Sequence, residues 1–110
     1  MRGPWEDDEV SNAERAGPEV LARLYEVIES RRSAHPSESR TAKLFAAGVP
    51  KVAQKLGEEA TEVVVAALAQ SDSALAGEAA DLLYHLLVLL AARGVHPSAV
   101  YAELAARARE

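Results

Sequence analysis

The longest apolar stretch of the sequence, Leu82 to Ala92, limits the folds open to this chain more than any other feature. On a helix, the leucines and the valine of this stretch cover every side, so such a helix must be buried all round. The stretch contains His85 and is only about half as long as the roughly 20 residues that span a bilayer. We therefore predict a buried helix and not a membrane span.

Composition and periodicity predict packed helices along the rest of the chain. Of the 110 residues, 49% are apolar but only 5% are aromatic, so leucine, valine and alanine must form most of a single core. The predicted helices run from Pro18 to near His35-Pro36, from a Thr41 cap to Ala47 with Gly48 closing it, from Pro50 to about Ala69, from an Asp72 or Ser73 cap to Arg93 with Gly94 after it, and from Pro97 onward. No segment predicts a strand, so the fold class is all-α. Residues 1–17 are predicted to be a disordered N-terminal tail, and residues 18–110 the folded domain.

Charge and residue usage exclude several classes of function. Twelve basic and seventeen acidic residues give a formal charge of −5, which argues against a broad surface for DNA or RNA. The absence of cysteine excludes disulfides, thiolate metal sites and a thiol nucleophile. The residues after Met1 contain no apolar stretch typical of a signal peptide, so we expect a cytoplasmic location.

Four acidic residues on the third and fourth predicted helices form the clearest candidate site. Glu59 lies at the border of the apolar stripe of the third helix and Glu62 further round the same side, whereas Glu58 points nearly opposite. Glu78 and Asp81 lie at the entry of the apolar fourth helix, where burying carboxylates is costly unless cations compensate them. Hard oxygen ligands favour Mg²⁺, or Mn²⁺, over Zn²⁺. The four acids therefore predict a magnesium site for cleaving a phosphoanhydride bond.

Each part of this site has a plainer alternative. Acids three residues apart on a helix usually decorate a solvated face, which would explain Glu59 and Glu62 taken alone. Acids at a helix start favourably meet the helix dipole, but Glu78 is already several residues inside its helix. Gly57 and Gly77, each beside an acid, either permit close approach of another group or mark helix boundaries that we have misplaced.

Basic residues near these acids could hold an anionic ligand. Lys55 lies on the acidic side of the third helix and could contact phosphate or pair with Glu59, whereas surface pairing is the better explanation of Lys51. A second basic group surrounds the end of the first helix and the following loop; it either closes over an anion or is a solvated patch, and its members are Arg31, Arg32, Arg40 and Lys43. His85 is interpreted as a core histidine with one satisfied nitrogen.

Two segments of the sequence carry a family resemblance. The first is Lys55-Leu-Gly-Glu-Glu-Ala-Thr-Glu-Val63, and the second is Glu78-Ala-Ala-Asp-Leu-Leu-Tyr-His-Leu-Leu-Val88. Together they resemble the phosphoribosyl-ATP pyrophosphohydrolases of histidine biosynthesis, and the likeness extends from Leu24 to about Leu104, with Thr41-Ala-Lys-Leu44 included. The paired Glu-x-x-Glu and Glu-x-x-Asp motif is shared with all MazG-like pyrophosphohydrolases.

The resemblance implies a fold, a reaction and a set of residues. The implied fold is the all-α MazG-like NTP pyrophosphohydrolase fold, a helical bundle completed by homodimerisation, in which the partner buries the surplus face of the fourth helix. The implied reaction is the Mg²⁺-dependent hydrolysis of phosphoribosyl-ATP to phosphoribosyl-AMP and pyrophosphate, the second step of histidine biosynthesis. By position, the implied metal ligands are Glu59, Glu62, Glu78 and Asp81, and the implied phosphate contacts are Lys43 and Lys55, to which the basic group adds Arg32. The resemblance leaves the role of Glu58 open, and we predict that either Glu58 or Glu59 orients the attacking water. Arg40 departs from the family, which has an aromatic residue before Thr-Ala-Lys.

Two other functions remain open at this point. The same four acids could serve a MazG-like pyrophosphohydrolase of other nucleoside triphosphates. Alternatively, the chain could be a helical dimerisation module without enzymatic activity, whose acids pair with basic residues of a partner. Neither a nucleic acid nor a membrane is an expected partner.

Overall fold

The fold consists of helices alone in the part of the chain that the structure describes. A computed structural model describes residues 16–108 and contains α1 (Glu19–Ser30), α2 (Arg40–Ala47), α3 (Val49–Ala69), α4 (Asp72–Ala92) and α5 (Pro97–Arg107). The predicted all-α class is therefore confirmed. The predicted disordered tail, residues 1–17, lies outside the described residues except for Ala16 and Gly17.

The N-terminal caps of α2 and α4 are serines that immediately precede each helix. Ser39 and Ser71 each accept a hydrogen bond at 3.1 Å from the backbone amide three residues further on. The prediction of Thr41 as the cap of α2 is therefore wrong, as is that of Asp72 or Ser73 as the cap of α4. The errors are small because any short polar side chain near a helix start is a plausible cap, and only the backbone decides among them.

The ends of the first, second and fourth helices follow local chemistry. α1 ends at Ser30, earlier than the predicted end near His35-Pro36. The Ser30 hydroxyl donates to the Val27 carbonyl at 2.6 Å, and the next two amides bond to carbonyls three residues back, which tightens the last turn. Gly48 and Gly94 follow α2 and α4 with positive φ angles of 92° and 71°, so both predicted stops are confirmed.

The α3 and α4 helices form the centre of the fold. Only Gln70 and Ser71 separate these two 21-residue helices, which therefore run antiparallel and pack against each other. α1 packs on α4, and α2 packs on both α3 and α4. The buried core draws on α1 to α4 and consists of Leu24, Tyr25, Ile28, Leu44, Val52, Tyr84, Leu87, Val88 and Ala91. Within it, the hydroxyls of Thr41 and Tyr84 share a hydrogen bond that ties α2 to α4.

The inward face of α3 differs from the predicted stripe. Val52 and Ala66 are buried, whereas Ala60 and Ala67, which the prediction placed on the stripe, are exposed. The half-buried residues that complete the inward face are Leu56, Glu59 and Val63, so the spacings along it alternate between four and three residues. Glu59 therefore lies on the packing face of α3 and not at its border.

Apolar side chains on α3 and α4 stay exposed within one chain. On α4, Leu83 is 44% exposed, so the predicted burial on all sides is wrong for the single chain. On α3, Leu68 is 83% exposed, and Val64 and Val65 are exposed as well. The two central helices therefore present apolar surface that no other part of the described chain covers.

The α4 helix is long and apolar enough to cross a membrane by length and composition, with a mean hydropathy of 1.5 over its most apolar window. Glu78 and Asp81 lie within this helix, and ionisable side chains are costly in a bilayer. Three other helices pack against it. We interpret α4 as the central packing helix of the bundle.

Candidate active site

Three carboxylates converge where α3 and α4 pack against each other. Glu59, Glu78 and Asp81, here called the acid group, each contribute one oxygen to a set of atoms that all lie within 4.8 Å of one another. All three side chains are half-buried. Antiparallel pairing produces this arrangement, because acids one turn apart on α3 meet acids one turn apart on α4.

Two buried oxygens of the acid group lack a hydrogen-bond donor. Glu59 Oε2 and Glu78 Oε2 are buried, and no donor from the described residues contacts either atom. Ionised carboxylates only accept hydrogen bonds, so a contact between two of them is repulsive unless a proton or a cation lies between them. Oxygens of this kind chemically fit a hard cation such as Mg²⁺.

The pKa values of the acid group reflect this crowding. Burial is the largest cause of the raised pKa of Glu59, and the charges of Glu62 and Asp81 raise it further, while Lys55 opposes them. The contact with the Glu62 carboxyl is the largest cause of the raised pKa of Glu78, followed by burial. Glu62 is more exposed than the three members of the acid group, yet its carboxyl lies close enough to act on two of them.

A cationic cavity of about 460 Å³ adjoins the acid group. It is lined by Arg40, Lys43, Leu44 and Ala47 from α2, by Lys51 and Lys55 from α3, and by His85 from α4. Lys55 precedes Glu59 by one helical turn, and His85 follows Asp81 by one turn. Positive and negative side chains therefore occupy adjacent turns of the same helix pair.

Comparison with known proteins identifies the family that carries this arrangement. Residues 21–108 match the family described as phosphoribosyl-ATP pyrophosphohydrolase. A phosphoribosyl-ATP pyrophosphatase of Paramagnetospirillum magneticum is 59% identical over 88 residues, which cover 80% of this chain and 81% of the relative. A protein of the same name from Erythrobacter litoralis is 58% identical over 85 residues, 77% of this chain and 82% of the relative. One from Azospirillum brasilense is 52% identical over 88 residues, 80% of this chain and 79% of the relative.

This chain belongs to the phosphoribosyl-ATP pyrophosphohydrolase family. The predicted resemblance is thereby confirmed, and with it the prediction that the chain is a hydrolase. The matched residues include the whole acid group and every residue that lines the cationic cavity.

Of the two acids predicted to orient water, only Glu59 lies in the acid group. Glu58 is exposed and accepts a hydrogen bond from Gln54 Nε2 at 3.0 Å. That hydrogen bond is the largest cause of its lowered pKa. Adjacent residues on a helix point about 100° apart, which explains why two neighbouring acids have such different surroundings.

Arg32 does not line the cationic cavity. Its Nε and Nη2 atoms donate to the two carboxylate oxygens of Glu29, each at 3.1 Å, and Nη2 also donates to the Ala91 carbonyl. The guanidinium carbon lies 4.8 Å from the ring centroid of Phe45, in a cation–π contact. These contacts join α1, α2 and α4 and account for the residue without a ligand, so its predicted role in substrate binding stays a prediction.

His85 and Lys51 differ in how well the sequence predicted them. His85 is 4% exposed and its Nδ1 contacts the Asp81 carbonyl at 2.8 Å, which confirms the interpretation as a core histidine with one satisfied nitrogen. Lys51 lines the cavity and forms no salt bridge with a described residue, although its charge helps to lower the pKa of the exposed Glu58 carboxyl, so its predicted surface pairing stays a prediction. Its position in the sequence could have indicated a role in binding, because a cation in the first turn of a helix opposes the helix dipole.

Gly57 and Gly77 lie inside α3 and α4, so the alternative of misplaced helix boundaries is wrong. A methyl group at either position would meet no atom within 4 Å in the described chain. Contacts within one chain therefore do not require glycine at these two positions.

Proposed function

We propose that this chain hydrolyses phosphoribosyl-ATP to phosphoribosyl-AMP and pyrophosphate, as the second step of histidine biosynthesis, and that it does so with Mg²⁺. The observation that carries the magnesium requirement is the acid group, in which two buried carboxylate oxygens have no donor. Membership of the phosphoribosyl-ATP pyrophosphohydrolase family supports the choice of substrate. The cytoplasmic location stays a prediction.

The acids of this chain suit Mg²⁺, with Mn²⁺ as a possible substitute. Glu59, Glu78 and Asp81 would hold the ion, with Glu62 beside them as a fourth ligand. All the ligand atoms are carboxylate oxygens, which magnesium prefers, and the sequence has no cysteine to favour a softer metal. When bound, the ion supplies charge neutralisation at phosphate oxygens and a bound water of lowered pKa.

The side chains around the acids orient the substrate. Lys55 and Lys43 face the cationic cavity and can hold phosphate oxygens, which restricts the polyphosphate to one direction relative to the acids. Of the two candidates for orienting water, Glu59 is the better placed and Glu58 the worse, because the Glu58 carboxylate is exposed and already bonded to Gln54.

A homodimer is part of the proposal. The exposed side chains of Val64, Val65, Leu68 and Leu83 form apolar surface on the two helices that carry the acids. A second copy of the chain that covered this surface would remove it from water and enclose the active site. Sedimentation velocity at micromolar concentration tests this directly, since an active, folded monomer would contradict it.

Product analysis tests the reaction and its rivals. With Mg²⁺, the purified protein is expected to convert phosphoribosyl-ATP to phosphoribosyl-AMP, and EDTA is expected to stop it. Glu62→Gln and Asp81→Asn should each lower kcat by about a hundredfold or more, the scale on which removing an electrostatic contribution slows an enzyme. Glu58→Gln is the matched control and should retain most of the activity. Rapid turnover of ordinary dNTPs with phosphoribosyl-ATP left intact would establish the MazG-like alternative, and no hydrolysis of either would leave the dimerisation module.

A further inference from the structure

The cationic cavity is lined by four cations, of which only Lys51 and Lys55 are partly offset, without a salt bridge, by the nearby charges of Glu58 and Glu59. Arg40, Lys43, Lys51 and Lys55 line it, and no acidic side chain does. None of these four cations forms a salt bridge with another described residue. Like charges around one cavity repel each other, so an anion that entered it would be bound favourably.

The positions of Arg40 and Lys51 make this charge costly to keep. Arg40 is the first residue of α2, and Lys51 is the third residue of α3. The N-terminus of a helix carries a partial positive charge, so a cation there is destabilising. Functional sites are among the places where a sequence keeps charges that are locally unfavourable for folding.

The wall formed by α4 adds a buried polar group. His85 is 4% exposed and lines the cavity. Since the Asp81 carbonyl can only accept a hydrogen bond, Nδ1 of His85 carries the hydrogen that joins them at 2.8 Å. Its Nε2 has no hydrogen-bond partner among the described residues and is the atom that this ring can offer to a ligand.

The geometry points to the cationic cavity as the site that binds the diphosphate portion released by the reaction, with Arg40 and Lys51 as binding residues beyond those that the sequence predicted. This assignment rests on the proposed function. The cavity begins one helical turn from the acid group, as Lys55 and His85 show, so an anhydride bond held at the acids extends its next phosphates into it. A diphosphate carries several negative charges, which matches four cations better than a single phosphate does.

Calorimetric titration with inorganic pyrophosphate in Mg²⁺ buffer tests the assignment. Arg40→Gln and Lys51→Gln are each expected to weaken binding by about five- to tenfold, the scale of the net contribution of one typical hydrogen bond. Arg23→Gln removes the same charge from an exposed position on α1 outside the cavity and should bind pyrophosphate within about twofold of wild type. Arg40→Lys and Lys51→Arg should restore part of the affinity, which a merely structural role would not explain. Both glutamine variants should also raise KM for phosphoribosyl-ATP more than they lower kcat.

Ribose 5-phosphate serves as the second probe, because the substrate also carries a single phosphate at its phosphoribosyl end. If the two glutamine variants weaken ribose 5-phosphate binding and leave pyrophosphate binding unchanged, the cavity holds that end and the assignment is overturned. If Arg40→Gln and Lys51→Gln bind both probes as tightly as Arg23→Gln does, the assignment is also overturned, even when wild type hydrolyses phosphoribosyl-ATP. If wild type does not hydrolyse phosphoribosyl-ATP but the two glutamine variants bind pyrophosphate more weakly than wild type, the proposed function fails while the diphosphate site stands.

Discussion

Replacing Glu59 by glutamine should stabilise the metal-free protein, although it removes a proposed metal ligand. Glu59 is half-buried on the packing face of α3, its Oε2 has no donor, and its carboxylate lies within 4.8 Å of two others. Two unit charges at about 4.8 Å repel by about 3.5 kcal/mol at an effective dielectric constant of about 20 and by about 0.9 kcal/mol in bulk water. For a site between these limits, Glu59→Gln should raise the free energy of unfolding in EDTA by about 1–2 kcal/mol.

Magnesium should change the order of stability between wild type and Glu59→Gln. A ligand that binds only the folded state at a hundred times its Kd stabilises it by about 2.7 kcal/mol, so wild type should gain stability in MgCl₂ and the variant much less. Urea denaturation followed by circular dichroism, at one protein concentration with and without EDTA, measures both effects. Glu58→Gln changes the neighbouring residue identically and should not stabilise, because Glu58 is exposed and hydrogen-bonded to Gln54. If Glu59→Gln in EDTA is no more stable than wild type, the argument from crowded charges fails.

The same charges fix the direction of a pH effect. The pKa of Glu59 is raised in the folded protein above its ordinary value of 4.5, so the folded state binds the proton more tightly than the unfolded state. Stability in EDTA should therefore increase as the pH falls from the raised pKa towards about 4.5, the range over which only the folded state takes up this proton. The Glu59→Gln variant should show a smaller increase. A stability in EDTA that falls throughout this range in wild type and variant alike would refute the assignment.

Three further variants test the scaffold. Tyr84→Phe leaves the buried Thr41 hydroxyl without its partner and should cost about 1–3 kcal/mol of unfolding free energy, measured by urea denaturation, with little change in kcat. Gly57→Ala should stabilise a single chain by about 0.5–1 kcal/mol, and a loss of stability or activity instead would show that a partner or substrate packs there. Arg32→Lys keeps the charge but loses the planar contacts, so it should lower the melting temperature while KM for phosphoribosyl-ATP stays within about twofold if the residue acts only on the fold.

The acids and their helices were predictable because the signals are local and strong. Four acids at three-residue spacings, with the second pair on a helix that is otherwise apolar, need only helical geometry to be placed together. The predicted border position of Glu59 was wrong for a physical reason. An isolated helix turns 100° per residue, but a helix packed along a partner presents residues at alternating spacings of four and three, which moves Glu59 inward and Ala60 outward.

Residues whose roles depend on distant parts of the chain were harder to predict. Arg32 looked like one member of a basic group that could close over an anion, yet its partners are the carboxylate of Glu29, the Ala91 carbonyl and the Phe45 ring. Two of these contacts come from other helices. Lys51 shows the opposite case. Its sequence context favoured surface pairing, but residues of α2 lie opposite it, and together they line one cavity. Sequence periodicity describes one helix at a time and contains no information about which helix covers it.

The division of charge between adjacent turns suggests how one small domain can both bind and cleave a polyphosphate. In the acid group, carboxylates repel one another until a cation joins them, and in the cationic cavity, basic side chains repel one another until an anion joins them. A magnesium-bound polyphosphate satisfies both requirements at once, whereas the metal or the polyphosphate alone satisfies only one. Binding of Mg²⁺ and of pyrophosphate should therefore be mutually favourable, so that pyrophosphate affinity measured in EDTA is lower than in MgCl₂, and by linkage each raises the affinity for the other by the same factor.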